Sequence, residues 1–162
     1  MTIKEICALF DLGGKYVSCC EIPTGNVNST YEVEFLNGEI REKYVLQKIN
    51  KNAFKQPPLV MQNIVRVTEH ISCKMSQEKA EKGVLQAFVA KIDGKPFVVD
   101  DYDEYWRCYR FIKNSTTYDV VESLDVVTGV GKAFGKFQTH VQDFDASTLH
   151  TTIPYFHDTI KR

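Results

Sequence analysis

The chain has 162 residues, 43% of them hydrophobic and 12% aromatic, with 20 Lys and Arg against 21 Asp and Glu and a formal net charge of −1. That length suits one domain, or a small domain with part of another, and the hydrophobic share is enough to fill a core. The near-neutral balance lacks the basic surplus that nucleic acid or an anionic membrane surface requires, and no run approaches the ~18 apolar residues of a membrane span.

Thr2 to Phe10 carries Ile3, Ile6, Cys7, Leu9 and Phe10 at helical spacing, with Thr2 as the N-cap and Gly13-Gly14 as the stop. Lys4 and Glu5 interrupt any apolar stretch there, so the start does not read as a secretory signal. Tyr16 to Ile22 is a short strand. Pro23 to Thr30, PTGNVNST, is small and polar. It suits an ordinary turn, or a loop whose N–H groups and hydroxyls lie over a phosphate, but it holds no Gly-x-x-x-x-Gly-Lys. Val33 and Phe35 share one face of the next strand. Asn37-Gly38 is a turn signal, and Tyr44, Val45, Leu46 and Ile49 fill the strand that follows.

Pro57-Pro58 introduces a helix over Leu59 to Ile71, with continuation through Cys73 and Met75 left open. Ser76 to Gly83 is charged. Val84 to Ile92 reads as a strand, Asp93-Gly94 as a hairpin turn, and Pro96 to Asp100 as the return strand. After a turn at Asp101 to Glu104, Tyr105 to Ile112 is a further strand, with Trp106, Cys108, Arg110 and Ile112 alternating against Tyr105, Arg107, Tyr109 and Phe111. The layout is α+β: about five antiparallel strands with one long helix inserted after the third.

Lys113 to Thr117 is a polar linker. Ser123 to Phe144 is a long amphipathic helix, with Val127, Val130, Phe134, Phe137 and Val141 at helical spacing and Gly129, Gly131 and Gly135 lowering its propensity. Its apolar face needs a cover: the first domain, a partner, a continuation of the chain, or a second copy through self-association.

Candidate metal sites fail on spacing. His140, His150 and His157 do not stack on one helix face, and Asp100 to Glu104 lacks the glycine and distal glutamate of a calcium loop. The five cysteines form no Cys-x-x-Cys pair and read as free thiols of a reducing, cytoplasmic compartment.

Asn28-Ser29-Thr30-Tyr31, Tyr44 to Asn50, Val60 to Ile64, Tyr105 to Ile112 and Gly131 to Phe137 together resemble the aminoglycoside-phosphotransferase-type family, nearest to the N-acetylhexosamine 1-kinases. The resemblance runs from about Gly25 to Arg162. It implies a protein-kinase-like small lobe over residues 1–112, and over 113–162 a hinge and the first helix of an incomplete large lobe. It implies ATP and magnesium as cofactors and an amino sugar, phosphorylated at its anomeric hydroxyl, as substrate. Gly25, Asn26, Asn28, Ser29 and Thr30 would lie over the phosphates. Val45 and Gln47 would face ATP, with Gln47 where the family usually has a lysine and Asn63 as its neutral partner. The competing register sets Lys48 on ATP with Glu69 as partner. Backbone groups of Arg110, Phe111 and Ile112 would meet the adenine edge.

No histidine here begins the His-x-Asp…Asn sequence that such kinases use, so the resemblance assigns no catalytic residue and no metal ligand. The expectation is the N-terminal, ATP-binding part of a sugar kinase, inactive by itself. A stand-alone non-catalytic nucleotide- or partner-binding module and a fragment of an antibiotic phosphotransferase are the alternatives.

Overall fold

The computed structural model describes every residue except 24, 26, 78–88, 114, 117, 119, 122 and 162, and the side chain of residue 77. The chain folds as α+β around one five-stranded sheet. Helix α1 spans Ile3–Cys7. Strands β1 (Lys15–Ile22), β2 (Ser29–Asn37) and β3 (Ile40–Lys48) form a meander. Helix α2 (Pro57–Gln77) comes next, followed by β4 (Val98–Val99) and β5 (Tyr105–Arg110). Helix α3 (Leu124–Val141) and a 3-10 turn (Ala146–Thr148) complete the elements. The sheet order is β1-β2-β3-β5-β4, and each neighbouring pair is antiparallel.

Strand alternation decides which residues form the core. Val33 and Phe35 on β2, Tyr44 and Leu46 on β3, Trp106 and Cys108 on β5, and Val98 on β4 all turn to one face. Ile6 and Cys7 of α1, with Phe10, Leu12 and Ala90, cover that face. Val33 and Leu46 are completely buried, each contributing roughly 1.5–3 kcal/mol through removal from water. Tyr44 is buried too, and its hydroxyl is shared between the Leu12 carbonyl at 2.8 Å and the Glu42 carboxylate at 3.1 Å. Burial, with Glu42 adding, pushes the phenol up to about 12, so it stays a donor.

Several expected boundaries move. Helix α1 carries the expected Thr2 cap, closed as a capping box with Glu5, but it ends at Cys7, well before Gly13-Gly14. Phe10 has left the helix to bridge Ala90. Gly14 serves a different need. Its φ of +68° and the backbone of Leu36 beside it leave no room for a side chain. The β2–β3 hairpin turns at Gly38-Glu39, one residue later than Asn37-Gly38, because Asn37 still pairs with Ile40. Helix α2 runs on through Cys73 and Met75 to Gln77. Of the expected strand at Val84 to Ile92, residues 84–88 lie outside the described residues, and Ala90 makes only an isolated bridge. The return strand shrinks to Val98–Val99. Asp100 terminates it by accepting from the backbone of Tyr102 and Glu104 and from the Trp106 indole.

The segment after α3 docks on α2 by polar contacts. His70 Nε2 lies 3.1 Å from both the His140 carbonyl and Asp143 Oδ1, and Lys74 pairs with Asp143. The His70 ring meets Phe144 edge-on. Further along, Asn63 brackets His150, accepting from its N–H at 2.9 Å and donating to its C=O at 2.8 Å. Arg66 donates to the Thr148 carbonyl. The rest of α3 is uncovered: Leu124 is 82% exposed and Phe134 67%. Among the described residues, no helix is long and apolar enough to cross a membrane.

Candidate functional site

The face of the sheet opposite the core is built by the other alternation. Thr30 of β2 pairs with Gln47 of β3, which pairs with Arg107 of β5; Val45 pairs with Tyr109. Helix α2 brings Ile64 and Thr68 over this face. The chain leaving β5 closes the end with Phe111, Ile112 and Ser115. Between them lies a cavity of about 500 Å³. That volume is within the range of small-molecule pockets, and its walls combine apolar side chains with a few polar groups.

The polar groups form one connected chain. Arg107 donates to Gln47 Oε1 through Nε at 3.1 Å and a terminal nitrogen at 2.9 Å. Gln47 Nε2 donates to Thr30 Oγ1 at 3.1 Å, and Thr30 in turn donates to the Asn28 carbonyl. Asn28 Oδ1 then accepts from the backbone of Asn50 at 3.0 Å. The guanidinium of Arg107 also lies 5.2 Å from the centre of the Tyr109 ring. Burial lowers the Arg107 pKa and raises that of Tyr109 to about 12, so near neutral pH the pair is one cation and one neutral phenol. Among the described residues, no carboxylate lies within ion-pair distance of Arg107.

Five of the expected site residues line this cavity: Val45, Gln47, Arg110, Phe111 and Ile112. Thr30 belongs to it through its bond to Gln47. Arg110 sits at the rim, largely exposed, 3.9 Å from Glu42. The Phe111 N–H is not available to a ligand edge, since it donates to the Lys43 carbonyl as an extension of the ladder. The Ile112 carbonyl accepts from Ser115, with a second lone pair left over.

Other expectations are corrected. Asn63 does not pair with Gln47. Its amide donates to and accepts from the His150 backbone, while Gln47 turns to Thr30 and Arg107. Lys48 points to the other side of the sheet, its ammonium 5.9 Å from the centre of the Trp106 ring. Glu69 lines a separate hollow with Arg66 and Pro96, so the Lys48–Glu69 register is not formed. Ser29, opposite Lys48 in the ladder, opens to a third hollow beside Asn50 and Lys51. At Gly25 an added Cβ would sit 3.0 Å from the Asn28 carbonyl oxygen. Asn26 lies outside the described residues.

Arg107, Ile64, Thr68 and Ser115 are cavity residues that sequence reasoning left without a role, and Tyr109 was placed only in the hinge. The only local signal was alternation, which put Arg107 and Tyr109 on one face of β5. Its meeting with Gln47 spans 60 positions and needs the β3–β5 pairing. No group of three or more His, Cys, Asp or Glu side chains is placed to hold a metal ion among the described residues. The chain matches none of the known protein-family profiles.

Proposed function

We propose that this chain is the ATP-binding part of a phosphotransferase, a kinase-like small lobe over residues 1–112 followed by the opening of a second lobe, whose acceptor is an N-acetylhexosamine or a related amino sugar. The observation that carries the ATP-binding part is the composition of the cavity. Strand β3 contributes Val45 and Gln47, α2 contributes Ile64 and Thr68, and the chain beyond β5 contributes Phe111 and Ile112. A loop, a strand, an inserted helix and a hairpin leading to a connecting segment occur in the order that a nucleotide-covering lobe requires. The apolar walls suit a base, and the Gln47–Arg107 end suits an anion.

The amino-sugar acceptor rests on the sequence motifs alone, in particular Tyr105 to Ile112 and Gly131 to Phe137. The 162 residues hold no His-x-Asp…Asn sequence. Phosphoryl transfer depends on such groups for positioning and charge stabilisation, so the expected property of this chain is binding without turnover. The test is calorimetric titration of the chain with ATP and with adenosine, alongside an ADP-release assay with N-acetylhexosamine. Saturable one-site ATP binding and no ADP release are expected. Absence of ATP binding at millimolar concentration would refute the proposal.

A partner-binding role is favoured by a separate observation. Val127, Val130, Phe134 and Phe137 are all about half exposed or more along α3. Exposed apolar stripes of this kind cover themselves by association. Self-association of this chain through α3 would give a dimer mass in light scattering, abolished by Phe134→Glu.

A further inference from the structure

Arg107 stands in an unusual electrostatic position. It lies mid-strand on β5, half-buried, on the cavity face. A guanidinium taken from water normally acquires a carboxylate. Here the nearest hydrogen-bond partner is the Gln47 amide, which accepts two N–H groups and brings no charge. The orientation of that amide is fixed from the far side. Thr30 Oγ1 accepts from Gln47 Nε2 while donating to the Asn28 carbonyl, so Gln47 has only its Oε1 to offer Arg107. Gln47 thus holds one edge of the guanidinium fork, and the remaining N–H groups have no carboxylate among the described residues. The Tyr109 ring lies alongside and restricts the plane.

Strand β3, meanwhile, lines the cavity with no cation, although the Lys43 ammonium reaches the ring of the lining Phe111, 5.7 Å from its centre. Val45 and Gln47 face inward, and Lys48 lies with Trp106 on the core side. Lys43, further along β3, is paired with Glu32 at 2.7 Å.

We infer that Arg107 is the cation that holds the phosphate chain of a nucleoside di- or triphosphate in this cavity, with Gln47 as its positioning residue. The cavity volume and its apolar walls leave the base end to Val45, Ile64 and Ile112. The neutral amide at position 47 then has a purpose: a lysine there would repel Arg107, and a glutamate would neutralise it before a phosphate arrived. The inference rests on the nucleotide-binding proposal and adds to it which residue supplies the charge.

The experiment is calorimetric titration of the full chain with ATP, ADP and adenosine, in the wild type and in Arg107→Met and Gln47→Glu, with circular dichroism as the folding control. In the wild type, ATP and ADP bind more tightly than adenosine, and raising the salt narrows the difference. In Arg107→Met the ATP affinity falls at least about tenfold, towards that of adenosine, which is itself unchanged. Gln47→Glu gives the same selective loss through an internal ion pair. It carries the test alone should Arg107→Met not fold. Wild-type preference for ATP surviving in the folded variants overturns the role of Arg107 and leaves nucleotide binding standing. Equal wild-type affinity for ATP and adenosine also overturns it. Binding of neither ligand overturns both proposals.

Discussion

The bracket between Asn63 and His150 gives the most direct quantitative prediction. One side chain on α2 makes two hydrogen bonds to the backbone of a residue 87 positions away, at 2.8 and 2.9 Å. Neutral hydrogen bonds contribute about 1 kcal/mol each, so truncation by Asn63→Ala removes about 2 kcal/mol from the docking of that segment. The His150 N–H loses its protein acceptor. Local opening should therefore expose it about 30-fold more often, and its hydrogen exchange should quicken by the same factor. Residues Gln62 and Arg66 still hold the His150 ring and the Thr148 carbonyl, so the segment loosens without detaching. Amides inside the β2–β3 ladder serve as the internal control and should not change. Asn63→Asp keeps the acceptor for the N–H but turns a carboxylate oxygen to the His150 carbonyl, so it should not recover wild-type protection. His150 exchange within twofold of wild type in a folded Asn63→Ala protein would refute the bracket as the holding contact.

Three further outcomes follow from the geometry. Gly14→Ala forces a side chain into a backbone at φ +68°, with the new Cβ 2.5 Å from the Leu36 carbonyl oxygen, and should destabilise by about 2 kcal/mol or more, read as a fall in Tm; an unchanged Tm would contradict the close approach. The Asp143 carboxyl is held below its ordinary value of 3.8, first by Lys74 and also by His70. A lowered carboxyl contributes stability above its unfolded pKa and loses it as pH falls through the folded one. Protection of amides 140–144 should therefore weaken progressively as pH falls below 3.8, and lose this acid step in Asp143→Asn. Alkylation of the native protein should modify Cys19, Cys20 and Cys73 only, because Cys7 and Cys108 are buried and burial raises both thiols, Cys7 to about 12; five adducts without unfolding would contradict the core.

The legible parts of this fold were those governed by local periodicity. The alternation in Tyr105–Arg110 put Trp106 and Cys108 on one face and Arg107 and Tyr109 on the other, and both faces form as that pattern requires. The apolar stripe of α2 was visible, and its end was left open past Ile71 because no proline or glycine marks it there. Boundaries decided by tertiary contact were not legible. Helix α1 stops because Phe10 is taken into a bridge with Ala90, and nothing near Phe10 in sequence announces that. The site was half legible for the same reason. Strand alternation put Val45 and Gln47 on one face and Lys48 on the other but left two registers open; the structure sets Val45 and Gln47 in the cavity and Lys48 outside it. The partner of Gln47 was misassigned, because both an asparagine on α2 and an arginine on β5 were in chain-order reach, and only the β3–β5 register selects the arginine.

Helix α2 has two employments on adjacent stripes. Ile64 and Thr68 roof the cavity, and Asn63, Arg66, His70 and Lys74 grip the segment from His140 to His150. Neighbouring residues on a helix lie about 100° apart around its axis, so a small roll displaces both stripes together. A roll of the helix would therefore act as an axle does, moving both stripes together. By reciprocity, if a cavity ligand and the docked segment both fix that roll, each steadies the other by an equal free energy. Slower His150 exchange in ATP-saturated protein would register that coupling; identical exchange with and without ATP would mean the axle does not turn.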